Sequence, residues 1–162
     1  MKLFLNSLIA GSLLAASAAA TAEVTVQFVK PETYRDVPFD PVERDHVMKD
    51  IVSHFVELAR NLPAGTDLNI DVLDLDLAGH LVPARGASED LRLLGNGADW
   101  PRMKLHYSVE SGGKIIKSGD AQLKDMNYQM RGNGQSGTEP LRFEKLMIDD
   151  WYYKTIAPRT RS

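Results

Sequence analysis

No cysteine occurs in the 162 residues. That absence excludes a disulfide framework, a thiolate nucleophile, thiolate metal ligands and a lipidation cysteine behind an apolar leader. A surplus of positive charge is missing as well: 19 Lys and Arg stand against 22 Asp and Glu, a formal net charge of −3. Such a balance leaves no electrostatic footprint for nucleic acid and little attraction to anionic lipid. The sequence has no internal repeat and no long low-complexity linker, so its length points to a single domain. Neither a phosphate loop nor a dinucleotide fingerprint is present, and no cofactor is expected.

The one extended apolar run lies at the start. Lys2 supplies a positive leader, "LFLNSLIAGSLLAA" an apolar segment, and Ala20-Thr21-Ala22 a small-x-small cleavage site before Glu23. Asn6 and two serines interrupt the run, which is shorter than the roughly 20 apolar residues of a membrane span. Residues 1–22 therefore read as a secretory signal cleaved after Ala22. The expected product is periplasmic or secreted, with no stable membrane span once the signal is gone. Losing 22 residues leaves 140, with 18 basic and 22 acidic side chains and a formal charge of −4. That length buries an adequate core without covalent staples.

Along the mature chain, "EVTVQFV" alternates Val24, Val26 and Phe28 with Thr25 and Gln27, a half-buried strand ended by Pro31. "ETYRDVPF" has an irregular, turn-rich character. Asp40, Pro41 and Glu43 then mark a helix start, with a capping side chain, a proline in the first turn and an acid at the third position. Val47, Ile51, Phe55, Leu58 and Leu62 form its apolar stripe, widened by Met48, Val52 and Ala59, and "LPAG" ends it. A second helix beginning around Pro140 carries Leu141, Ile148 and Tyr152 beside Phe143, Met147 and Trp151. Met103, Leu105, Tyr107 and Val109 alternate with polar residues, and Gly112-Gly113 turns the chain back, so residues 103–124 read as a β-hairpin. Gly119 inside the return strand predicts a bulge or bend. "DLRLL" reads as a short strand, "HLVPARGASED" as a loop, and "RGNGQSGTE" as a mobile loop.

The stretch "DLNIDVLDLDLAG", residues 67–79, holds the densest chemistry. Asp67, Asn69 and Asp71 match the opening of a calcium loop, yet Val72 replaces the glycine of the sharp turn and Ala78 replaces the bidentate Glu. An EF-hand is thereby excluded. The aliphatic phase also slips: Leu68, Ile70 and Val72 are even-numbered, whereas Leu73, Leu75 and Leu77 are odd-numbered. A regular strand would bury Asp74 and Asp76, at several kcal/mol per unpaired ion. A β-bulge near Val72 and Leu73 restores the phase more cheaply, with two separate strands as the alternative. Without a bulge, the two acids require buried partners, for which Arg92 and Arg102 are the natural choices.

Other chemistry is weaker. His46 and His54 are eight apart on one helix, too far for a paired metal site, while His80 sits in a loop and His106 on a polar strand face. No metal site is expected. "GQSGT" around Ser136 lacks the spacing of a nucleophile elbow. Asp74, Asp76 and Asp125 remain candidates for acid and base work if burial shifts one of them. Trp100 and Arg102 fit either a ligand contact or a structural strand start in which Arg102 pairs an acid. Trp151 lies on the helix stripe and reads as core. Asp74, Asp76, Trp100, Arg102, Asp125 and Tyr128 are thus the candidate binding residues, and no residue is assigned a catalytic role.

"DLDLAG" at 74–79, "WPR" at 100–102, the glycine-turn hairpin, "DMNY" at 125–128 and "EKLMIDDW" at 144–151 together resemble the bacterial family catalogued as domain of unknown function 3016. The resemblance covers nearly all of the mature chain. It implies a small exported proteobacterial protein and carries over no catalytic residues. The element order is also similar to auxiliary domains of cell-envelope transport and assembly systems, a likeness at the level of fold alone. The expected fold is α+β: a mixed, mostly antiparallel sheet of about four to five strands with two helices on one face, occupying residues 23–162 with a frayed tail at 156–162. The expected role is a non-enzymatic binding or envelope-associated domain whose partner is an envelope protein or ligand. A carboxylate-dependent hydrolase and a weak divalent-cation module are the alternatives.

Overall fold

The structure, a computed structural model, describes residues 22–82, 91–95, 98–131 and 139–158. Residues 1–21, 83–90, 96–97, 132–138, which include Ser136, and 159–162 lie outside that set.

Strand β1 (Val24–Phe28) is followed by a single 3-10 turn (Pro31–Thr33) and helix α1 (Pro41–Ala59), then by β2 (Thr66–Asp76) lying parallel to β1. Two strands joined in parallel need a long crossover, and α1 provides it. Its start is built as the sequence predicts: Asp40 Oδ1 accepts from the amides of Val42 and Glu43 at 2.9 and 3.0 Å. Two N–H groups that a helix start leaves orphaned are thereby satisfied. β2 pairs antiparallel with β5 (Arg102–Ser111), which forms a hairpin with β6 (Lys114–Lys124), so the sheet order is β1-β2-β5-β6. Between β2 and β5, β3 (His80–Val82) and β4 (Leu91–Leu93) form a separate two-stranded sheet. A short helix α2 (Tyr128–Arg131) and α3 (Arg142–Thr155) complete the chain. The class is α+β, as expected.

One face of the sheet is dry. Leu68, Ile70, Leu105 and Tyr107 join Ile51 and Phe55 of α1 and Ile148 and Tyr152 of α3 in a single apolar cluster. Both long helices therefore cover the same side, and strand residues of opposite parity, such as Asp71, Lys104 and His106, face away from it. The Trp151 ring stands edge-on to Phe55 and Tyr107, at centroid distances of 6.3 and 5.4 Å, and so links α1, α3 and β5.

The predicted bulge in β2 is present. Val72 pairs with Leu105 and Asp74 with Lys104, so Leu73 is the extra residue, and its side chain is exposed. Past it, Leu75 is fully buried while Asp74 and Asp76 point to the polar face beside Lys104 and Arg102. Two donors converge on the carbonyl at the bulge: the Val29 amide at 2.8 Å and the Tyr34 hydroxyl at 2.7 Å. Burial pushes the Tyr34 hydroxyl up to about 12, so it stays a donor at any physiological pH.

Several expectations are corrected. The irregularity in the hairpin falls at Ile116, between the pairs Val109 with Lys117 and Glu110 with Ile115, and not at Gly119. Gly119 pairs regularly with Tyr107, and a β-carbon there would lie 3.3 Å from the Tyr107 hydroxyl. The glycine leaves room for that ring. His80–Val82, read as loop, is a strand, and the "DLRLL" strand pairs with it instead of joining the main sheet. Gly79 makes this possible: its φ of +79° suits glycine, and a β-carbon would collide with the Leu93 carbonyl. Ile156 and Ala157, expected in a frayed tail, pack against the core.

Deleting Leu73 is expected to preserve the fold, because Val72 and Asp74 already face consecutive residues of β5. Inserting an alanine after Asp74 would turn Leu75 outward and is expected to abolish cooperative unfolding. Thermal denaturation followed by circular dichroism checks both. An insertion variant as stable as the parent would contradict the assigned phase.

Candidate functional site

The polar end of the sheet carries the acids singled out in the sequence. Asp76, Arg102 and Lys124 form one cross-strand row, and Asp74, Lys104 and Gln122 the next. Each acid pairs with its neighbour on β5: Asp76 Oδ2 lies 3.2 Å from Arg102 Nε, and Asp74 Oδ2 lies 3.4 Å from Lys104 Nζ. Above these rows hangs the segment after the 3-10 turn, and together they enclose a cleft of about 350 Å³ whose rim also includes Arg35. Ligand sites of this type start at roughly 300 Å³.

Two anchors fix the overhanging segment. Tyr34 is tied to the bulge carbonyl, and Asp36 is held by Arg92, whose Nη1 donates to Asp36 Oδ2 at 2.6 Å and whose Nη2 donates to the Asp36 carbonyl at 3.0 Å. Arg35 lies between them. Of the two arginines proposed as partners for the acids, Arg102 takes Asp76, while Arg92 takes Asp36 and the Ala78 carbonyl.

Electrostatically the cleft is cationic. Arg35, Arg102, Lys104 and Lys124 face it, against Asp74 and Asp76. Neither Arg35 nor Lys124 has a carboxylate within ion-pair distance among the described residues. Burial raises the Asp76 carboxyl above its ordinary value, with Arg102 and, more weakly, Arg35 opposing the rise and Asp36 and Asp74 adding to it. Desolvation therefore outweighs the neighbouring cation at a side chain that keeps a quarter of its exposure.

Arg102 is braced on three sides. Its guanidinium lies over the Trp100 ring at 5.2 Å, its Nη2 donates to the Ala98 carbonyl at 3.1 Å, and its Nε faces Asp76. The structure thus brings four of the candidate residues together: Asp74, Asp76, Trp100 and Arg102. Tyr128 stands apart. It is buried edge-on against Phe143 at 4.8 Å, and its hydroxyl donates to Asp99 at 3.1 Å. Asp125 caps its own turn by accepting from the Asn127 amide at 3.0 Å, and it lines a different groove, between β6 and α3. Among the described residues, no group of three or more His, Asp or Glu is placed to hold a metal ion.

One residue escaped the sequence reading. Glu144, in the first turn of α3, is 3 % exposed, and its Oε1 accepts from the Ala78 amide at 2.6 Å just past the end of β2. Burial raises its carboxyl above the ordinary value, against the two backbone amides and the Arg92 charge that favour ionisation. Helical spacing offered the signal: Glu144 precedes Ile148 by four and Trp151 by seven, on the buried line. It walls a second, more apolar cleft of about 380 Å³ with Leu77, Arg92 and Phe143.

A family model described as "Protein of unknown function (DUF3016)" matches residues 22–154, and the chain belongs to that family. No curated protein and no solved structure matches it.

Because Glu144 holds its proton more tightly folded than unfolded, its contribution to stability is full below the ordinary carboxyl value of 4.5 and is lost as pH rises through the higher folded value. Glu144→Gln keeps an acceptor for Ala78 and is expected to flatten this loss, leaving the protein at least as stable at neutral pH. Glu144→Ala strands a buried amide and is expected to cost about 1–3 kcal/mol. Urea unfolding as a function of pH checks both, and an unchanged pH slope in Glu144→Gln would contradict the assignment.

Proposed function

We propose that this member of the DUF3016 family is an exported, non-enzymatic binding domain whose ligand or envelope partner is received at the charged cleft on the polar face of the sheet. The carrying observation is the cleft itself. Its carboxylates are engaged by cross-strand cations, and its overhang is anchored at Tyr34 and Asp36. Recognition gains from groups held in place before the ligand arrives, because less ordering is required on binding. Support for export is the leader at residues 1–22, with its charged start, apolar segment and Ala20-Thr21-Ala22 site.

A photo-crosslinking side chain at Gln122, exposed on the cleft rim, tests the binding role in whole cells. The expected result is an adduct with a protein or lipid that is not formed from Lys49, an exposed position on α1. Free monomer alone from both positions would refute it. Mass analysis of the same preparation is expected to show a chain beginning at Glu23.

One observation favours a second reading, hydrolysis through carboxylates. Asp76 has a raised carboxyl and shares the cleft with Asp74, an arrangement in which one acid can donate a proton while the other stays ionised. Turnover of an ester or glycoside substrate abolished by Asp76→Asn would establish it. A weak divalent-cation site is disfavoured by the excess of cations around the two acids.

A further inference from the structure

The cleft's unpaired charge specifies more than a generic partner. Four cations face two carboxylates, a surplus of two positive charges. Arg102 has five N–H donors, of which Nε–H faces Asp76 and one on Nη2 is taken by the Ala98 carbonyl. Both donors on Nη1 have no protein acceptor among the described residues. The guanidinium plane is fixed by the Trp100 ring beneath it. Arg35 and Lys124 approach from the overhang and from β6, and neither is neutralised by an ion pair. A planar fork held in one orientation, flanked by two cations outside any contact ion pair, matches a tetrahedral oxyanion: the fork supplies directed hydrogen bonds, and the flanking cations supply charge.

Building on the binding role above, we infer that the cleft formed by Arg35, Arg102 and Lys124 binds a phosphate monoester group. Such a group carries about −1.5 to −2 charge at pH 7, which balances the surplus. The cleft volume of about 350 Å³ admits the phosphate and a small polar body, at the low end of ligand-site sizes. Asp74 engages Lys104 and Asp76 engages only the Nε side of Arg102, and both acids repel any approach of the anion toward β2, so the phosphate is directed to the Nη1 donors of Arg102 and the β6 side. A soluble phosphomonoester and a lipid bearing a terminal phosphate present the same dianion, and the two arms of the test distinguish them.

The test titrates the full mature chain with inorganic phosphate, glycerol 3-phosphate and malonate, followed by amide chemical shifts. Phosphatidylcholine vesicles with and without phosphatidic acid form a parallel arm. The expected result is saturable millimolar binding of phosphate and tighter binding of the ester, with shifts confined to residues around Arg35, Arg102 and Lys124. Because Arg35 and Lys124 hold no ion pair, the double variant Arg35→Ser, Lys124→Gln is expected to fold normally and bind about tenfold more weakly. Lys49→Gln, on the far side of the molecule, serves as the control and is expected to bind as the parent does. Vesicle binding that requires phosphatidic acid and is displaced by inorganic phosphate assigns the lipid source. Binding of glycerol 3-phosphate without vesicle binding assigns the soluble one. No saturable shift with any phosphate, malonate bound as tightly as the ester, or equal affinity in the double variant would overturn the inference. If Gln122 crosslinks form in cells but neither phosphate nor the double variant alters them, the binding role stands and the phosphate assignment falls. Phosphate binding without any Gln122 adduct would keep the phosphate assignment and remove the macromolecular partner.

Discussion

The Val72 carbonyl is the point on which the polar face depends. It sits at the one place where β2 changes phase, and it accepts both the Val29 amide and the Tyr34 hydroxyl. Because a strand alternates faces with period two, a single extra residue decides which side every later side chain occupies. With Leu73 bulged out, Leu75 enters the core and Asp74 and Asp76 reach the wet face. The same carbonyl holds Tyr34, and through it the segment that roofs the cleft. One local irregularity thus sets both the floor and the roof of the candidate site.

A second joint lies at the opposite end of the same strand's influence. Past β2, the Ala78 amide donates to the buried Glu144 while the Ala78 carbonyl accepts from Arg92, which in turn clamps Asp36. Helix α3, the small sheet and the overhang therefore meet at one residue. Burying a carboxyl here is unfavourable for its ionised form, and the backbone and arginine contacts offset only part of that. The joint nonetheless orients the far end of the overhang, so the stability of α3 docking and the shape of the cleft are coupled through Arg92.

Much of the fold was legible because its signals are local. The Asp40 cap, the α1 stripe, the Gly112-Gly113 hairpin and the slip of phase at Leu73 each follow from residues within a turn or a few strand positions of one another. Gly119 shows the limit of such reasoning. Glycine in a strand signals either a bulge or a close approach, and the choice was made by Tyr107 across the hairpin, whose ring needs the space. His80–Val82 looked like loop because its partner strand, Leu91–Leu93, gives a weak signal by itself, and pairing made both regular.

By itself the sequence determined the absence of thiol chemistry, the class of fold, and the surfaces of helix and strand that turn inward, because periodicity is a property of neighbouring residues. It also marked Asp74, Asp76, Trp100, Arg102, Asp125 and Tyr128 as candidates. Tertiary structure alone decided that Asp74, Asp76 and Arg102 share a cleft with Trp100 stacked beneath Arg102 while Tyr128 and Asp125 lie elsewhere, that Arg92 belongs to Asp36, and that Glu144 is buried. Those outcomes depend on strand order and on how a distant loop folds back over the sheet. Ion pairing and desolvation act through space, over distances that separation along the chain does not encode.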